Sequence, residues 1–191
     1  MEDKITMRTK MMVCIIALMT SMSMNAVQGK FIHVDNTTAK NLKPQLAFCQ
    51  ERQDGQDVTS LLLWTVNVNE YNEFSDASRL LLRFADGTMA RLTRVPGSDV
   101  EKDKFNTKNG RATISYFKTT TKYEVTPEVI EKLENNIAII KLRVVYKEND
   151  AKDYDIAEGY QAKMAADLLR SYQDASLKNR QSATDLSDED F

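Results

Sequence analysis

Histidine is nearly missing from this chain: His33 is the only one. Histidine is the side chain whose ordinary pKa lies closest to neutrality, so acid–base and nucleophilic schemes that depend on it have one position to use. His33 sits in a weakly patterned polar stretch and reads as an edge or surface residue. Cysteine is scarce too, with only Cys14 and Cys49. Cys14 falls in a segment read below as a leader. Cys49 would then stand alone, which excludes an internal disulfide framework and leaves it as a small buried apolar residue. Glycine is thinly spread at six residues, and no glycine-rich phosphate loop follows a strand. Charge of one sign is also lacking, since the formal net charge is -2, so no general attraction to nucleic acid is implied.

Long apolar runs are absent as well. The most apolar segment is Met11–Thr20, MMVCIIALMT, and a bilayer crossing takes about 20 residues. Arg8 and Lys10 precede that run, and the small and polar residues of Ser21–Gly29 follow it. This is the three-part pattern of a secretory leader, with cleavage after Ala26 or Gly29. Met7 offers an alternative start that leaves out the acidic Glu2 and Asp3. Cys14 lies inside the apolar run with no small residue before it, unlike a lipidation site. The expected product is exported, periplasmic or extracellular, and does not span a membrane once the leader is cut. Its organisation reads as a leader over 1–29, one α+β domain over 30–178 and a disordered acidic tail over 179–191. Removing 1–29 takes away three of the 26 basic and two of the 28 acidic residues, which leaves a net charge of -3.

What is present is a series of strand patterns followed by a long helix. Phe31, Ile32 and Val34 favour a short edge strand. Gln45–Arg52 and Leu61–Val68 form a hairpin about a turn at Gln53-Asp54-Gly55. Arg79–Val95 carries the clearest hairpin, RLLLRF-ADG-TMARLTRV. A two-residue Asp86-Gly87 turn would pair Leu82 with Arg91 and mix the faces. A three-residue Ala85-Asp86-Gly87 loop pairs Phe84 with Thr88, Leu82 with Ala90 and Leu80 with Leu92, which gives one apolar face and is the preferred register. Pro96–Gly110 reads as an exposed loop. Ala112–Val125 is strand-like, but its alternation changes phase near Lys118–Thr121, which predicts a bulge or two strands. Thr126-Pro127-Glu128 starts a short helix that Asn135-Asn136 ends. In the following strand, Ala138, Ile140, Leu142, Val144 and Tyr146 alternate without a break. Asp153–Ile156 is a candidate return strand. Ile156–Leu177 repeats Tyr160, Met164, Ala165, Leu168, Leu169 and Tyr172 at helical spacing, with Asp155 and Glu158 placed as a capping box.

The order of elements predicts an α+β fold, an antiparallel β-sheet with the long C-terminal helix packed on one face. The alternative is a two-sheet β-sandwich with an attached helix.

Chemistry is harder to find. Glu148, Asp150, Asp153, Asp155 and Glu158 cluster closely enough to raise a calcium loop. The EF-hand spacing fails, because the third and fifth positions from Asp150 are Lys152 and Tyr154. No metal site and no cofactor is expected. The specific suspicion is a basic sheet face. Arg79, Arg83 and Arg91 share one side of the hairpin, and Lys141, Arg143 and Lys147 share one side of the late strand. If both sets lie in one sheet and point the same way, they form a ligand-binding surface for an anionic ligand or an acidic protein. The bland alternative is a solvated outer face whose charges deter edge aggregation.

The run from Tyr123 through Arg143, YEVTPEVIEKLENNIAIIKLR, and the Phe84–Gly87 turn resemble an arrangement in small exported proteins of Bacteroides-like bacteria. There a strand ending in Tyr-x-x-Thr leads to a Glu-rich short helix, a strand of the Ile-x-x-Ile-x-x-Arg type and a C-terminal helix. The resemblance covers about half the chain. It implies an exported α+β module and carries over no functional residue. The expected function is a non-enzymatic binding or interaction module for a protein or an anionic surface ligand. The alternative is a hydrolase using dispersed carboxylates, of the kind whose acid pairs come from distant positions.

Overall fold

The computed structural model describes residues 26–34, 43–53, 56–68, 70–96, 98, 101–109, 112–148 and 150–188. The basic start and apolar run of the expected leader, with Cys14, lie outside the described residues, as do the last three residues of the chain. The described chain is α+β. It holds β1 (Val27–Gln28), β2 (Ile32–His33), β3 (Gln45–Gln53), β4 (Gln56–Asn67), β5 (Arg79–Phe84), β6 (Met89–Thr93), β7 (Glu101–Asn109) and β8 (Ala112–Glu124). Helix α1 (Pro127–Glu134), β9 (Ile139–Lys147), β10 (Asp150–Asp155) and helix α2 (Glu158–Asp188) complete it.

All the pairings are antiparallel, and they form two sheets. One runs β1-β3-β4-β8-β7 with β2 also on β3, and the other runs β10-β9-β5-β6. A bridge between Arg94 and Tyr123, and a bond from the Val95 N–H to the Lys122 carbonyl, join β6 to β8. The two sheets therefore meet along one seam. Their inner faces share one core: Leu46, Phe48, Leu61 and Leu63 from the first, and Leu80, Leu82, Phe84, Leu142 and Val144 from the second. The helices close that core with Val129 and Leu133 of α1 and Met164, Ala165 and Leu168 of α2. Each such large side chain removed from water stabilises by about 1.5–3 kcal/mol.

Several local rules are visible. The β5–β6 hairpin takes the three-residue loop: Leu80 faces Leu92, Leu82 faces Ala90, and the Phe84 N–H bonds the Thr88 carbonyl at 2.9 Å. Gly87 sits at φ +85, the left-handed region that this loop demands. Helix α1 ends in a Schellman pattern, with Asn136 at φ 57, its N–H on the Leu133 carbonyl, and the Ile137 N–H on the Lys132 carbonyl. Thr126 does occupy the N-cap position, but its hydroxyl makes no capping bond; Pro127, which has no N–H to satisfy, opens the helix.

Five expectations are corrected. Glu101–Asn109 is strand β7, not loop, and pairs with β8 along its whole length. Strand β8 is continuous, without a bulge. Its apparent phase change falls where the consecutive residues Thr119, Thr120 and Thr121 are all buried, so alternation no longer marks one face there. Strand β9 does contain an irregularity: the register shifts where Phe84 meets Ile139 and Arg83 meets Lys141. Ile139 therefore enters the core while Ile140 is only half-buried. Asp155 is the last residue of β10 rather than a helix cap. Helix α2 also runs on past Leu177 and Lys178 to Asp188, with Asn179 buried and its amide bonded to Asp57 Oδ1 at 2.8 Å.

Candidate functional site

The outer face of the four-stranded sheet carries the six basic residues, and the register decides how they meet. One row across the strands reads Asp155, Lys141, Arg83, Met89. The next reads Asp153, Arg143, Leu81, Arg91, and the third Ala151, Val145, Arg79, Thr93. Directly opposed side chains have Cβ atoms about 4.5–5.5 Å apart. Hairpin β5–β6 and strand β9 thus lie in one sheet and, from Lys141 onward in β9, point their odd-numbered side chains the same way.

Charge is graded across this face. Its β10 edge is acidic. Arg143 Nε donates to Asp153 Oδ1 at 2.5 Å and its terminal nitrogen to Oδ2 at 2.8 Å, a two-pronged pair. Lys141 Nζ reaches Asp153 at 3.1 Å and Asp155 at 3.4 Å. The Arg143 bonds, then those from Lys141, hold the Asp153 carboxyl far below the usual carboxylate range, and Asp153 in turn raises both cations. The opposite side of the sheet has no such neutralisation. The guanidinium groups of Arg83 and Arg91 make no hydrogen bond or ion pair with any described residue. Arg83 also faces Lys141, a like-charge pair across the strands that β10 relieves from the Lys141 side only.

Between these cations lies a shallow depression of about 330 Å³, lined by Leu81, Arg83, Gly87, Met89, Lys141 and Arg143. Met89 is 63% exposed, an unusual position for a large apolar side chain. Arg79 and Lys147, although on the same face, are engaged elsewhere. Arg79 donates to the carbonyls of Asp76 at 3.2 Å and Ser78 at 2.9 Å, and Lys147 pairs with Glu73 at 3.2 Å. The candidate set therefore divides into two free arginines, two neutralised cations and two that are tied to the Glu73–Ser78 connection. Met89 and Leu81 were passed over in the sequence; their odd numbering, shared with Arg83 and Arg91, was the signal that could have found them.

A second cavity, about 480 Å³, opens where the chain between β4 and β5 meets the β9–β10 turn. Tyr71, Tyr146, Tyr154, Glu70, Glu73 and Asp150 are among its walls. Tyr146 and Tyr154 are buried with hydroxyls 3.4 Å apart, and burial pushes the Tyr146 phenol far up. All three carboxylate residues here are exposed. Among the described residues no group of three histidine, cysteine, aspartate or glutamate side chains is placed to hold a metal ion. His33 belongs to edge strand β2, and Cys49 is buried with its thiol pushed up to about 11 by desolvation, so its thiol stays protonated and weakly nucleophilic. No described helix is long and apolar enough to cross a membrane.

Ion pairs on this sheet give stability a pH dependence. Asp86, on the hairpin loop, is lowered to about 2 by its bond from Lys132 Nζ at 2.8 Å, helped by the Thr88 hydroxyl and N–H. Both Asp86 and Asp153 have depressed folded-state values. Their contribution is complete above the unfolded value of about 3.9 and is lost as pH falls through the folded one. Urea midpoints are expected to drop between about pH 4 and pH 2, and Asp153→Asn should flatten that drop. An unchanged profile in this variant would show that the Asp153 cluster is not coupled to folding.

No family model, curated protein or solved structure matches the chain.

Proposed function

We propose that this protein is an exported, non-enzymatic binding module that presents the outer face of its four-stranded sheet to an anionic ligand. The observation that carries the reading is the pair Arg83 and Arg91, uncompensated beside the exposed Met89 and the half-buried Leu81 in a protein of net negative charge. An unpaired guanidinium is a planar donor suited to carboxylate, sulfate or phosphate. Apolar side chains next to it favour ligands that join an acidic group to an apolar part. Arg83, Met89, Arg91 and Arg143 are all exposed on this face, which suits contact with a surface or a polymer better than enclosure of a small substrate. The secretory pattern of the N-terminus supports the exported location.

The competing reading is hydrolysis by paired carboxylates. Glu70, Glu73 and Asp150 in the tyrosine-walled cavity are its best candidates. Their exposure argues against it, because a general acid at neutral pH needs burial or a like charge to hold its proton.

The test is a salt titration. The chain beginning at Val27 is passed over heparin and over neutral dextran at low and high ionic strength. Retention on heparin at low salt, lost on approaching about 0.5 M salt and absent on dextran, is the expected result. No salt-sensitive binding to heparin or to other acidic polymers would sink the basic-face reading.

A further inference from the structure

The leader pattern leaves two cleavage points open, after Ala26 and after Gly29, and the fold distinguishes them. Residues 27–29 are part of the folded domain. Val27 pairs with Gln50 and Gln28 with Cys49 at the free edge of β3. The Gly29 N–H donates to the Phe48 carbonyl at 2.9 Å. Gly29 is buried, and a Cβ on it would collide with the carbonyl oxygen and hydroxyl of Ser171 in α2. The Ser171 hydroxyl in turn accepts the Phe48 N–H at 3.1 Å, a buried bond between the long helix and strand β3. One backbone unit of β3 is therefore shared between the Gly29 strap and the helix. Ala26, by contrast, is exposed and lies just outside the paired segment.

We infer that processing cuts the Ala26–Val27 peptide bond and leaves Val27 as the first residue of the exported protein. This rests on the export reading above and sharpens it. Hydrolysis there adds one water, and gives a new carboxylate on Ala26 and a new α-ammonium on Val27. Ala26 supplies the small residue that a leader peptidase reads immediately before the cut. A cut after Gly29 would discard β1. It would also strip the Phe48 carbonyl of its donor at a buried site and unpack the one position where α2 approaches the strap closely enough to require glycine.

The experiment is to express the full chain, with its own leader, in a Gram-negative host and to read the N-terminus of the periplasmic product by intact mass. A product beginning at Val27 is expected. A product beginning at Lys30, or at any other residue, overturns the cleavage assignment while leaving export standing. Retention of an uncut chain in the cytoplasm overturns both. As a companion measurement, chains starting at Val27 and at Lys30 are made directly and melted. Losing the strap is expected to lower the melting temperature by several degrees, about 2–4 °C for each backbone bond lost in a domain of this size. Equal melting temperatures would overturn the structural reason for the assignment.

Discussion

Phe84→Ala is expected to lower the free energy of unfolding by about 3–5 kcal/mol, on the order of the whole margin of many domains. Phe84 is fully buried and is the last residue of β5. Its ring joins a core that includes Ile139, its partner across the β9 irregularity. The Lys132 ammonium lies 5.4 Å from the ring centroid, so helix α1 also leans on this residue. The backbone of Phe84 closes the hairpin loop in both directions: its N–H bonds Thr88, and its carbonyl accepts from the Gly87 N–H at 3.1 Å. Truncation removes the ring while leaving those backbone bonds possible, so the loss should register as a cavity rather than a broken turn. Urea unfolding measures it. Phe84→Leu should recover more than half of the loss. An alanine variant within about 1 kcal/mol of the parent would mean that the two sheets do not share a core at this point.

The hairpin and the basic face were legible in sequence because two independent constraints act there. The Asp86-Gly87 turn chemistry and the alternation of Leu80, Leu82 and Phe84 agree on one register, and one register assigns every side chain to a face. The C-terminal helix was legible for the same reason, since Met164, Ala165 and Leu168 recur at its period and all are buried. Strand β7 was not legible. Its residues, EKDKFNTKN, form a polar run on a sheet-edge strand whose partner is β8 alone, so no apolar alternation marks it in the sequence. The end of α2 was missed because its composition turns polar while its buried stripe continues through Ala175 and Asn179.

Neutralisation of Lys141 and Arg143 was invisible for a different reason. It depends on the register of β10 against β9, which sets Asp153 opposite Arg143 and Asp155 opposite Lys141; the sequence offers Asp153–Ile156 as a candidate return strand but not that register, and places Asp155 as a helix cap as well. The same acids looked like a metal loop candidate in one dimension. In three dimensions Asp153 and Asp155 face basic side chains across a strand boundary, which is where their charge is used.

That division of the face gives a pair of opposite predictions. Arg83→Glu with Arg91→Glu should weaken heparin binding on the order of tenfold or more at low salt. Each exposed charge contact contributes up to about 1 kcal/mol, near fivefold in affinity, and reversal adds repulsion to the loss. Both side chains are exposed on the outer face, so folding should be nearly unchanged, and thermal melting checks this. Asp153→Asn should do the reverse. It releases Arg143 from its partner and leaves Lys141 with Asp155 alone, which adds positive charge beside the depression, so binding should tighten several-fold with a steeper salt dependence. If the anion instead docks elsewhere, the double reversal will still lower affinity slightly through net charge, but the asparagine variant will show no comparable gain. A gain in the one variant and a loss in the other, both vanishing at high salt, is the outcome that only a ligand seated between β10 and β6 produces. Loss in both variants would place Asp153 itself in contact with the ligand and move the site toward the β10 edge.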